Sequence, residues 1–112
     1  LISKRTAPSF VWREVCDGWR LLDADDVSVI QERMPPGSAE VLHLHTRVRQ
    51  LYFVLDGKAT VDVGDSCEVL GAGDAVVIEP ATAHRISNRS QASMEFLVIS
   101  SSPPRDDRKN LE

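Results

Sequence analysis

The chain has 112 residues, 42% of them apolar and 27% charged, with 13 basic and 17 acidic side chains and a formal net charge of −4. That length suits one domain with one core, and the acidic balance argues against nucleic acid, whose phosphates draw Lys and Arg. No apolar run approaches the ~20 residues of a membrane helix, two cysteines are too few for a disulfide framework, and no secretory leader is visible, so a cytoplasmic location is the default expectation.

Short stretches rich in branched and aromatic residues predict strands over 11–15, 19–22, 27–34, 41–45, 51–55, 59–63, 67–70, 75–78, 84–87 and 94–100. Turn chemistry separates them at Asp17-Gly18, Pro35-Pro36-Gly37, Asp56-Gly57, Gly64-Asp65, Gly73-Asp74 and Pro80. No window beyond about ten residues keeps a helical apolar stripe. Many short strands with frequent turns predict an all-β sandwich or barrel.

The clearest hairpin spans 50–63. Gln50, Tyr52 and Val54 share one face of its first strand, and Leu51, Phe53 and Leu55 share the other. Both faces are mostly apolar. One is expected to line the barrel and the other to meet a second sheet or a second subunit, which makes a homodimer the expected assembly. The charged run 103–112 cannot pack well, so the barrel is expected over 1–102, with a mobile tail leaving it.

The three histidines of the chain, His43, His45 and His84, carry the chemistry. Alternate residues of a strand point to one face, so His43 and His45 present both imidazoles to one point. His84, from another predicted strand, would complete a facial set of nitrogens. Such a set suits a divalent transition metal (Zn, Ni, Mn or Fe) with coordination positions left for a small-molecule substrate. The alternative is three separate histidines making structural hydrogen bonds.

Two motifs in register resemble the cupin superfamily. Gly37, five residues, His43-Leu44-His45, four residues, Gln50, six residues and Gly57 are similar to its first motif. Gly73-Asp74, then Glu79-Pro80-Ala81-Thr82-Ala83-His84 and Asn88, are similar to its second. The resemblance implies a single-domain double-stranded β-helix, or jelly-roll barrel, with His43, His45, Gln50 and His84 as metal ligands. Where the family usually has a glutamate this chain has Gln50, and where it has a glycine before the last histidine this chain has Ala81. Three imidazoles and an amide leave a divalent ion its full charge. The ion is then a stronger Lewis acid, held less tightly.

The ligand spacing is also similar to that of cupins that open unsaturated uronate rings. Those enzymes use a late aspartate and an arginine just beyond it. An ungapped count puts the arginine on Arg105 and the aspartate on Ile99, which cannot move a proton. Tyr52 and metal-bound hydroxide are the remaining candidates for moving one, and Tyr52 is otherwise a packed aromatic with its hydroxyl satisfied. Trp19 is either a roof for the pocket or a buried strand residue. The resulting expectation is a metal-dependent enzyme using Lewis-acid isomerisation, elimination or ring opening on a sugar-like or carbonyl substrate, with Tyr52 and Arg105 as catalytic candidates. The alternatives are an Fe(II)-dependent dioxygenase and a non-catalytic module that binds or senses a small ligand.

Overall fold

Branched and aromatic residues in alternation dictate paired strands with one buried face, and the computed structural model, which describes every residue except 104 and 105, is built of strands joined by turns. In chain order they are β1 (Ser9–Trp12), β2 (Cys16–Asp23), β3 (Ser28–Met34), β4 (His43–His45), β5 (Gln50–Asp56), β6 (Lys58–Val63), β7 (Ser66–Gly71), β8 (Ala75–Ile78), β9 (His84–Ser87), β10 (Met94–Ser100) and β11 (Arg108–Asn110). No helix occurs among the described residues. The strands form an antiparallel sheet of order β1-β2-β3-β10-β5-β8 and a second of order β11-β4-β9-β6-β7. This is the double-stranded β-helix expected from the motifs.

Pairing register explains the core. Phe96 faces Val54 across β10 and β5, and Val98 faces Tyr52. Along β10 the side chains alternate buried and half-buried, with Met94, Phe96, Val98 and Ser100 inward. Val61 and Ile86 answer from the other sheet, where they are cross-strand partners, and both are fully buried. Asn88 closes the end of β9, its amide donating to the carbonyls of Met34 (2.9 Å) and Ala92 (2.8 Å).

Two expectations about the amino-terminal half need correction. The predicted strand 11–15 ends early, because Arg13 and Glu14 adopt left-handed backbone (φ 52° and 68°) and turn the chain into β2. Neither residue type announces such a turn. Conversely, Asp17-Gly18 is no turn but mid-strand. A Cβ on Gly18 would sit 2.2 Å from the Phe10 ring, so the glycine makes room for that aromatic across the hairpin.

The carboxy-terminal residues also depart from expectation. Rather than leaving the barrel, Arg108–Asn110 pairs with β4, opposite both of its histidines. Asp107 is buried (5% exposed) and accepts hydrogen bonds from the Thr46 hydroxyl and from the amides of Arg47 and Val48. These bonds, led by that from Thr46, hold its carboxyl down at about 2. Charge does not prevent packing here, because the loop between β4 and β5 offers backbone donors that need an acceptor.

Candidate metal site and pocket

Strand alternation and sheet pairing bring the histidines together. His43 and His45 point inward from β4, and His84 is the direct cross-strand partner of His43. Exposures of 1%, 4% and 0% leave all three rings out of bulk solvent. Their centroids are 4.3 Å apart for His43 and His84, 5.1 Å for His43 and His45, and 5.8 Å for His45 and His84. One nitrogen from each lies within 4.8 Å of the other two, so the three could hold a metal ion. The turn before β9 ties the set together, since the Ala81 amide donates to the His45 carbonyl at 2.6 Å.

The hydrogen bonds select the right tautomers. Nδ1 of His43 lies 2.7 Å from the Val41 carbonyl, and Nδ1 of His84 lies 2.8 Å from the Thr82 carbonyl. A carbonyl only accepts, so each Nδ1 carries the proton and each Nε2 keeps its lone pair for a ligand. Burial disfavours the imidazolium, lowering His43 and His45 to about 4 and lowering His84 as well. Neutral rings are what a metal requires.

Three buried polar atoms around this point lack a partner among the described residues: Nδ1 of His45, Nε2 of His84 and Oε1 of Gln50. Buried polar atoms are normally paired. Gln50 is 5% exposed, and its amide nitrogen donates to the Ser100 hydroxyl at 3.0 Å, which turns the oxygen away from that partner. Orphaned lone pairs and neutral rings fit a cation.

A cavity of about 200 Å³ opens beside the histidines. That is small against the ~300–1,000 Å³ of pockets for drug-sized ligands. Its walls include Phe10, Ile30 and Val98, with Arg20 and Arg108 as cations. Glu32, Glu40, Tyr52, Gln50 and Ser100 add uncharged or acidic polar groups to the wall. Glu40 accepts from the Tyr52 hydroxyl (3.0 Å) and from the Ile86 amide (3.1 Å). Burial raises its carboxyl and drives the Tyr52 phenol far above its ordinary value.

Several sequence candidates fall elsewhere. Trp19 lies one residue from Arg20 on the opposite face of β2, beneath Lys4 at 5.4 Å, and it is Phe10 and Arg20 that border the cavity. Ile99 points to the outer face of β10 while Ser100 points in. Arg49 also faces outward, pairing with Glu79 at 2.7 Å. Arg105 lies outside the described residues. Glu32 and Glu40 were missed as site residues. Glu32 shares the inward parity of Ile30 and Met34 in β3, a weak signal among its polar neighbours Gln31 and Arg33.

Comparison with known proteins agrees with this fold. An oxalate-binding protein of Thermotoga maritima is 28% identical over 67 residues, covering 60% of this chain and 55% of that protein. The chain spans less than two thirds of the length of the curated relatives it matches. Among solved structures, a predicted oxalate decarboxylase of Thermotoga maritima superposes with a TM-score of 0.83 at 18% identity, covering 91% of this chain and 98% of that one. A sugar phosphate isomerase of Silicibacter pomeroyi superposes with a TM-score of 0.81 at 18% identity, covering 93% and 76%. At such identities the likeness concerns the fold, which hosts many chemistries. The cupin domain profile matches residues 30–100, from β3 through all three histidines to the end of β10, and the chain therefore belongs to the cupin family.

Proposed function

We propose that this protein is a metal-dependent cupin acting on a small oxygen-rich molecule, with His43, His45, His84 and the Gln50 oxygen as metal ligands. The observation that carries the reading is the orphaned pair, His84 Nε2 and Gln50 Oε1, buried beside two further imidazoles held neutral. A divalent ion held there supplies Lewis acidity toward an oxygen of the ligand. With no carboxylate among the proposed ligands, isomerisation, elimination or ring opening fits better than dioxygen chemistry at iron, which typically uses a two-histidine, one-carboxylate set.

The chain's own residues do the rest. Tyr52 and Glu40 form a fixed hydrogen-bonded pair on the wall, so Tyr52 positions Glu40 and presents its ring beside His84 at a centroid distance of 6.0 Å. Phe10, Ile30 and Val98 exclude water from one side of the cavity. The outer face of the six-stranded sheet carries an apolar row of cross-strand partners, Leu22, Val29, Ile99, Leu51 and Val77, which we assign to pairing with a second copy.

The decisive experiment is elemental analysis of protein purified without chelating resin, alongside His45→Ala. About one equivalent of zinc, nickel or manganese without oxygen uptake is expected, with loss of metal in the variant. Full occupancy in His45→Ala would sink the assignment. A second reading, a binding or sensing module, draws on the name of the oxalate-binding relative. It predicts thermal stabilisation by a small acid that is recovered chemically unchanged.

A further inference from the structure

The cavity holds two carboxylates with different surroundings. Glu40 is occupied by a phenol and a backbone amide. Glu32, pointing into the same cavity from β3, receives no hydrogen bond from a described residue. Environments that separate two nearby acids in this way assign one as the anion and the other as the proton carrier. The cations are equally informative. Arg20 stacks on Phe10, with its guanidinium carbon 4.5 Å from the ring centre, and Arg108 is steadied by Asn110 at 2.8 Å. Neither guanidinium lies within ion-pair distance of a carboxylate among the described residues. A divalent ion and two guanidinium groups outweigh even both carboxylates, Glu32 and Glu40, so the cavity is short of negative charge.

We propose that the ligand is a small organic acid whose carboxylate is drawn to Arg108 and Arg20, and that Glu32 meets it as a protonated carboxylic acid donating a hydrogen bond. The O–H proton is shared with a ligand oxygen, and no other bond forms or breaks in this step. Burial first, and then the charge of Glu40, push the Glu32 carboxyl well above its ordinary value, while Arg108 and Arg20 oppose the shift. The other titratable groups around the cavity are Tyr52, which is committed to Glu40, and His43 and His45, which burial keeps neutral. A buried acid with no hydrogen-bond donor aimed at it favours its protonated, donating form.

The inference deepens the metal-site reading and rests on it for the pull on the anion, but the two are separately testable. Zinc titration followed by calorimetry tests the metal site alone. The Glu32 proton is read by infrared difference spectroscopy at pH 7, with or without zinc. A carboxylic-acid carbonyl band is expected in the native protein and in Glu40→Gln, and it should vanish in Glu32→Gln. For the ligand, oxalate is titrated into zinc-loaded protein above the Glu32 titration, in two buffers of different ionisation enthalpy. Native protein should take up close to one more proton per oxalate than Glu32→Gln, and its affinity should fall about tenfold more per unit of pH. Protons moved by other groups are common to both proteins and cancel in this difference. Arg108→Gln should weaken oxalate about tenfold or more while keeping the proton uptake. Equal uptake in native protein and Glu32→Gln, no carbonyl band in native protein, or no binding of oxalate by zinc-loaded protein would each overturn the proposal.

Discussion

Gln50 stands where the cupin motif usually has an acid, and the proposal that its amide serves as a ligand there can be tested at that residue. Ser100 takes the amide nitrogen, and the oxygen is buried with no partner among the described residues. Gln50→Glu restores a negative charge at that oxygen. Ligand charge strengthens divalent binding, and zinc affinity is expected to rise roughly tenfold or more, read by chelator competition. An unchanged affinity would mean that the residue 50 side chain reaches only solvent beside the ion. The histidines make a separate prediction for the metal-free protein. His43 and His45 are lowered from 6.5 to about 4, chiefly by burial, so the unfolded chain takes up protons before the folded one does. Stability from these rings is complete above about pH 6.5 and is lost as pH falls through 4. Chemical denaturation of metal-free protein between pH 7 and 4 should show that decline, and zinc should delay it. A flat profile would mean that the rings are solvated in the folded state.

The strands explain what could be read without coordinates. The histidine positions were legible because strand parity and glycine-flanked spacing are local facts, whereas Glu32 was obscured by its polar neighbours Gln31 and Arg33, which point outward. The carboxy-terminal strand was hidden for a different reason. It is stabilised by backbone acceptors and donors on residues about sixty to seventy positions away, including the Leu42 carbonyl, which accepts from the Leu111 amide at 2.8 Å. No periodicity records such a bond. The turn entering β9 shows a departure from the motif with a definite cost. Ala81 adopts φ 63° where the family has a glycine, and an L-residue there costs ~1–2 kcal/mol. Ala81→Gly removes that strain but loosens the unfolded chain by about 0.4–1 kcal/mol. A net gain of about 0.5–1 kcal/mol and a rise of a few degrees in Tm are expected by calorimetry, with the His45 carbonyl still bonded to the residue 81 amide. A loss of stability would show that contacts of the Ala81 methyl group matter more than backbone strain.

The two faces of the six-stranded sheet divide the labour of the molecule. The inner face, carrying Tyr52, Val54, Phe96 and Val98, builds the core and one wall of the pocket. The outer face carries a row of cross-strand partners running Leu22, Val29, Ile99, Leu51 and Val77, so apolar side chains line up across five strands. Leu22 and Val77 are 46% and 48% exposed, the latter on the edge strand β8. A hollow of about 230 Å³ between Val27, Leu51, Val77 and Ile99 gives the row relief that a partner side chain can fill. Contiguous apolar surface of this kind is costly to leave wet, and a second copy laid across the row would take it out of water. A dimer is therefore expected in sedimentation at micromolar concentration. Val77→Lys places a charge on the seam at the sheet edge, away from the inward-facing histidines, and should shift the population to monomer while zinc affinity is unchanged. Native protein that sediments as a monomer would refute the pairing. Loss of zinc affinity in Val77→Lys would instead couple the interface to the metal site through β5, the strand that carries both Leu51 and Gln50.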